Sequence, residues 1–233
     1  MKVINDLYDY GLKIVQDNSS FKFSLDSILL AEFVDNVDNS SSILDVCTGN
    51  AAIPLILSTK FNNKIKAFEI QKSIYDLAVE SIEINKLNKQ IEVINDDILN
   101  ISEYFPGNTF DIVVSNPPYY KYQSDSIINN NDCKSIARHE IKLDLEKLFK
   151  SVDKCIKDKG YFYLVHLPER LQEILNIAEV YKFRAKKIQF VYTKEDKTAT
   201  IVLIKFLKRG NNDVKICPPL FINHFDSYKN IFK

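Results

Sequence analysis

From residue 42 onward the apolar positions alternate between two patterns. Short apolar runs recur at 42–46, 64–70, 91–94, 110–115 and 161–166. They predict strands, and the unbroken Ile112-Val113-Val114 predicts one covered on both faces. Between them lie stretches with helical spacing. One helix is expected to begin at Ile53–Ser58, and a second covers Ser73–Lys86 through Ile74, Leu77, Ala78 and Ile82. A third spans Leu143–Ile156 and is ended by Asp158-Lys159-Gly160, and a fourth spans Glu169–Val180. Two last apolar runs, 185–193 and 198–207, flank Lys194-Glu195-Asp196-Lys197 and predict a hairpin.

The first 35 residues carry no strong β period. Phe21 and Phe23 alternate with polar neighbours, and Asp26 precedes the apolar stretch Ser27–Val34, which predicts a helix with Asp26 as its N-cap. Residues 36–42 read as a polar linker and 120–131 as a mobile Ser/Asn-rich loop. The strand–helix order predicts an α/β, Rossmann-like doubly wound sheet. Seven strands are expected, mostly parallel with one antiparallel, with helices on both faces. The chain divides into a segment 1–35 capping a cleft, a main domain 36–210 and a tail 211–233.

Composition narrows the class. With 45% hydrophobic and 27% charged residues over 233 positions, this is an ordinary globular chain rather than a disordered, collagen-like or disulfide-stapled one. Its formal net charge of zero argues against a whole-molecule polycation. The charge is uneven, however: residues 181–233 hold 12 basic and 4 acidic groups, a net of +8 balanced by −8 in the rest. Cys47, Cys133, Cys155 and Cys217 form no C-x-x-C pair and no zinc-ligand spacing. No signal peptide and no apolar run of ~20 residues is present. A cytoplasmic protein with reduced thiols, no metal and no membrane association is expected. The oligomeric state stays open, with a monomer as the default reading.

Four sites carry candidate chemistry. In Ile43-Leu44-Asp45-Val46-Cys47-Thr48-Gly49-Asn50-Ala51 a strand ends in an acid and a small-residue turn, where open α/β sheets bind ligands. Only Gly49 of a G-x-G-x-G pattern is present; Cys47 and Ala51 hold the other places. Glu69, 20 residues on at the end of the second strand, occupies the place of an acid that accepts ribose hydroxyls. Asp97 after the third strand can accept from an adenine amino group, with Asp96 as a rival and a plain turn as the alternative. Asn116-Pro117-Pro118-Tyr119 follows the fourth core strand. The two prolines fix the backbone, holding the Asn116 oxygen and the Pro117 carbonyl as two acceptors for one NH2 group beside a flat ring.

These motifs, in this order, resemble class I S-adenosylmethionine-dependent methyltransferases of the N-P-P-Y type over about residues 40–207. The resemblance implies that Asp45, Gly49 and Asn50 meet the methionine end of the cofactor, Glu69 its ribose and Asp97 its adenine. Asn116, Pro117 and Tyr119 then orient the amine that is methylated, with Asn116 also bordering the cofactor. Cys47 departs from the family's glycine. Tyr10–Gln16, Phe21–Ala31 and Arg138-His139-Glu140 resemble the bacterial tRNA1(Val) adenine-N6 methyltransferases, which modify adenine 37 in the anticodon loop. That likeness implies a tRNA partner, and the net +8 of residues 181–233 leads to the expectation that they, with Lys121 and Arg138, face it. Two alternatives stay open: methylation of a release-factor glutamine, and a silent RNA-binding methyltransferase fold. His139 and His166 read as surface or structural residues.

Overall fold

The computed structural model describes residues 2–17, 24–119, 143–222, 229, 231 and 232. The expectations for Phe21, Phe23, the 120–131 loop, Lys121, Cys133 and Arg138-His139-Glu140 lie outside them. A hairpin opens the chain, β1 (Lys2–Asp6) and β2 (Lys13–Asp17), followed by α1 (Leu25–Phe33). Strands and helices then alternate: β3 (Ile43–Val46), α2 (Ala52–Lys60), β4 (Ile65–Phe68), α3 (Lys72–Ile84), β5 (Ile91–Ile94), the single-turn α4 (Ile101–Tyr104), β6 (Phe110–Ser115), α5 (Leu145–Cys155), β7 (Ile156–His166) and α6 (Leu171–Val180). Next come β8 (Phe183–Tyr192), β9 (Ile201–Lys208), β10 (Lys215–Ile216) and β11 (Leu220–Phe221).

The main sheet runs β5-β4-β3-β6-β7-β9-β8, with β10 and β11 both paired to β8. Among the described residues it has nine strands, not seven; β10 and β11 are two residues each, too short to leave a periodic trace. Only β9 runs antiparallel to its neighbours, and it forms the expected hairpin with β8. The hairpin of β1 and β2 departs from the reading of the first 35 residues. β1 is almost wholly exposed and β2 buries three successive residues, so no alternation marks either strand.

A second departure lies at Asp158-Lys159-Gly160. α5 ends at Cys155 and β7 starts at the next residue. Lys159 is left-handed (φ 64°), and the pairing of β7 with β6 slips between Phe110 and Ile112. The polar triplet is therefore an irregularity within a strand. A Cβ at position 160 would stand 2.7 Å from Ile156 Cγ1 and 2.9 Å from the Lys157 carbonyl, so the bend needs glycine.

Each central strand feeds two cores. Ile43, Ile112, Val114, Tyr163 and Val165 face α1–α3, while Leu44, Val46, Val113, Phe162 and Leu164 face α4–α6. This two-sided burial is why these strands read as continuous apolar runs. Val46 pairs with Phe68 and Ser115, and Phe68 with Ile94, so β3, β4, β5 and β6 end in one line. The chain proceeds outward from β3 to β5 and then returns to β6 on the other side, so strand order reverses between β3 and β6. That is the switch point at which such sheets bind ligands. Among the described residues no helix is long and apolar enough to cross a membrane.

Candidate active site

The turn after β3 is built from left-handed residues. Cys47 (φ 64°), Gly49 (φ 58°) and Ala51 (φ 69°) fall on the three places of the glycine pattern. Left-handed backbone costs a non-glycine residue about 1–2 kcal/mol, so Cys47 and Ala51 hold a strained form of the turn. It is held from outside: Thr48 N–H donates to the Phe68 carbonyl at 2.9 Å, and Gly49 N–H to Glu69 Oε2 at 3.0 Å. Glu69 Oε1 accepts from Gln71 N–H at 2.9 Å, so one carboxylate ties the β3 turn to the β4 turn. Asn50 Nδ2 donates to the Val15 carbonyl at 3.0 Å, bringing β2 over the turn.

Both oxygens of Asp45, the Thr48 hydroxyl and Asn50 Oδ1 are buried without a hydrogen-bond partner among the described residues. Burial pushes the Asp45 carboxyl up to about 8, opposed by the nearby Thr48 hydroxyl and reinforced by the Glu69 carboxylate. Thr48 thus lies close enough to favour the charged form without making a hydrogen bond in good geometry. The Cys47 thiol is driven well above its ordinary value by burial and by the fields of Glu69, Asp45 and Asp97. The three expected acids therefore surround one point. Asp96 is spent locally, accepting from Asp97 N–H, Asn100 Nδ2 and the Tyr104 hydroxyl. Among the described residues Asp97 uses Oδ1, on Leu99 N–H, which leaves Oδ2 as an acceptor.

The Asn116–Tyr119 turn leaves β6 beside these groups. Asn116 Nδ2 donates to Ser27 Oγ at 2.9 Å, and Asn116 Oδ1 lies 2.6 Å from the Tyr119 hydroxyl. That hydroxyl is also 2.8 Å from Asp26 Oδ2. Asp26 is therefore not the helix cap: Ser24 holds the cap position, and Asp26 sits in the first turn of α1 facing Tyr119. The sequence reading missed this contact, and it missed Ser27. The Tyr119 ring packs on His166, with centroids 4.9 Å apart at 46°. Burial, with Arg170 nearby, lowers His166 to about 3, so it is a neutral ring. Arg170 Nη1 donates to the Tyr119 carbonyl at 3.3 Å, a role the sequence gave no sign of. A separate cleft of about 460 Å3 lies at the other end of α1, near Phe33, Lys60 and Lys187, away from this chemistry.

The methyltransferase small domain model matches residues 19–169. The chain belongs to the methyltransferase small-domain family. This methyltransferase is 30% identical over 201 residues to a tRNA1(Val) (adenine(37)-N6)-methyltransferase of Bacteroides thetaiotaomicron, covering 85% of this chain and 82% of the relative. Its fold resembles a protein of Agrobacterium tumefaciens described as a predicted O-methyltransferase, at 18% identity and TM-score 0.66, covering 84% of this chain and 87% of the other. It also resembles TYW2 of M. jannaschii, solved in complex with AdoMet, at 17% identity and TM-score 0.59, covering 89% and 86%.

S-adenosylmethionine is the cofactor of this methyltransferase domain. The residues present fit it. The unpartnered buried acceptors of the β3 turn, within a ring of three carboxylates, suit a ligand with cationic groups and hydroxyls to donate.

Proposed function

We propose that this methyltransferase modifies the N6 amino group of adenine 37 in tRNA1(Val). The observation that carries the reading is the Asn116–Tyr119 turn. It leaves β6 at the strand-order switch, its side chains held from α1, beside the carboxylate-ringed turn. The name and coverage of the Bacteroides relative support the choice of nucleic-acid substrate.

S-adenosylmethionine supplies an electrophilic methyl group on a sulfonium. Asp45, Gly49 and Asn50 hold its methionine end, Glu69 its ribose and Asp97 its adenine. Asn116 Oδ1 and the Pro117 carbonyl accept the two hydrogens of the substrate amine. They draw the nitrogen lone pair out of the ring, favouring the nucleophilic form. Tyr119 presents a ring face on which an unpaired loop base can stack.

Glu69→Ala should weaken cofactor binding by about 1–3 kcal/mol, because it strips acceptors from the site and also frees Gly49 N–H. Calorimetry decides it; unchanged affinity would remove Glu69 from the site.

Ion pairs within the fold bear on the RNA-facing surface expected of residues 181–233. Arg184, Lys186, Lys187, Lys205, Lys208 and Arg209 each pair with a carboxylate. Four carboxylates outside the segment, Asp35, Asp153, Asp158 and Glu179, thereby answer about half of its excess of eight charges. β8 runs parallel to β7, which puts the turn after Tyr192, with exposed Lys194 and Lys197, at the same sheet edge as Asn116. Replacing both lysines by alanine should lower the salt dependence of tRNA binding by ~0.7 of a log unit per lost contact. An unchanged salt slope would move the phosphate contacts elsewhere.

The substrate itself is tested with labelled S-adenosylmethionine and tRNA lacking the modification, followed by nucleoside analysis. Label in N6-methyladenosine at position 37 is the expected result. Label on a release-factor glutamine instead would assign the clamp to a protein amide. Cofactor binding without any transfer would mark a silent scaffold.

A further inference from the structure

The Tyr119 hydroxyl has one hydrogen and, among the described residues, two oxygens within reach, Asp26 Oδ2 at 2.8 Å and Asn116 Oδ1 at 2.6 Å. It can donate to only one of them. In the structure Asn116 Nδ2 faces Ser27 Oγ at 2.9 Å and Ser24 Oγ at 3.5 Å, which turns Oδ1 toward the Tyr119 hydroxyl. The destination of this hydrogen decides whether Asn116 Oδ1 meets a substrate amine with its full accepting capacity or already occupied.

We propose that Asp26 is a positioning residue: its carboxylate takes the Tyr119 hydrogen and so leaves Asn116 Oδ1 open to the incoming amine. This rests on the reading of the site as an amine-methylating clamp. An ionised Asp26 can only accept, so the hydroxyl turns toward it. A protonated Asp26 donates to the Tyr119 oxygen, which sends the hydroxyl hydrogen to Asn116 Oδ1 and fills one of its lone pairs. Among the described residues, His166 lies against the Tyr119 ring and Arg170 at its carbonyl, with Glu173 paired to Arg170. His166 stays neutral across the working range, so it does not reverse the switch. Burial raises the Asp26 carboxyl above its ordinary value, with the Tyr119 hydrogen bond opposing. The ionisation therefore falls at higher pH than for an exposed aspartate. Activity should rise with pH as Asp26 loses its proton.

The test is single-turnover methylation of an unmodified tRNA1(Val) transcript across pH, with Asp26→Ala, Tyr119→Phe and the double variant. Asp26→Ala leaves Asn116 Oδ1 as the acceptor of the Tyr119 hydrogen, and kcat should fall about tenfold with KM little changed. The acid limb of the pH profile should disappear. Adding Tyr119→Phe removes the hydrogen that blocks Asn116, so the double variant should recover the rate of Tyr119→Phe alone. A double variant as slow as Asp26→Ala, or an Asp26→Ala enzyme with the wild-type acid limb, would overturn the proposal.

A second measurement needs no RNA. The Asn116 side-chain amide resonance of the free wild-type protein should titrate with Asp26, and it should be flat in Asp26→Ala. A flat wild-type resonance in an enzyme that methylates tRNA overturns the Asp26 coupling and leaves the substrate reading intact. A titrating resonance in an enzyme inactive on every tRNA does the reverse.

Discussion

Asn116→Ala should lose about 10²–10³-fold in kcat while binding S-adenosylmethionine nearly as the wild type does. The side chain follows β6 at the switch point and is held by Ser27 and Tyr119. In the proposed clamp its oxygen accepts from an amine whose hydrogens grow more acidic as the N–CH3 bond forms. The interaction therefore strengthens toward the transition state, and its loss appears in kcat rather than in KM. No carboxylate base is required, because the proton can leave after the methyl has arrived. Single-turnover methylation of the transcript measures the chemical step, and calorimetry with the cofactor controls for folding and binding. Wild-type turnover in Asn116→Ala would end the clamp mechanism.

Asp45→Asn should make the protein more stable in alkali and no more stable in acid. The folded carboxyl titrates at about 8, against ~3.9 in an unfolded chain. Between those values the unfolded chain releases a proton that the folded chain keeps. Raising the pH through this window therefore favours unfolding, by about 1.4 kcal/mol per unit from this group. Its contribution is fully present below pH ~4 and lost as pH passes through about 8. Asparagine has nothing to titrate, so urea denaturation of the two proteins should coincide near pH 4. They should diverge by several kcal/mol, to order of magnitude, above pH 8. Parallel curves would mean that Asp45 is solvated or paired after all. The same substitution should weaken cofactor binding, since asparagine cannot ionise to meet the cationic groups of the ligand. Stability and affinity then move in opposite directions at one residue.

The sequence exposed those parts of the molecule whose causes are local. The strands at 91–94 and 110–115 were legible to the residue, because burial on both faces forces unbroken apolar runs. The four turns at their carboxyl ends were legible for the same reason: the strands fix where each turn must start. What stayed hidden depends on partners distant in the chain. Asp26 read as a cap from its neighbours, yet its carboxylate is engaged 93 residues away, on Tyr119. Glu69 read as a free acceptor, but both its oxygens already hold backbone N–H groups from two turns. The net +8 of the last 53 residues read as a docking face, whereas six of its cations answer carboxylates of the fold. Asp158-Lys159-Gly160 read as a stop because a bend inside a strand uses the same residue types as the end of a helix.

The hairpin over the β3 turn has one residue held from both sides. Val15 gives its N–H to Ser81 Oγ at 2.9 Å and its carbonyl to Asn50 Nδ2 at 3.0 Å. One step along, Asn85 exchanges two hydrogen bonds with the backbone of Lys13. The hairpin is therefore laced to side chains of α3 and of the turn rather than to the main sheet. It cannot lift without releasing Asn50, and the turn cannot rearrange without tugging on Val15. Local opening of the two is one event, and the Val15 amide is the place where hydrogen exchange would record how often the cofactor side of the enzyme comes undone.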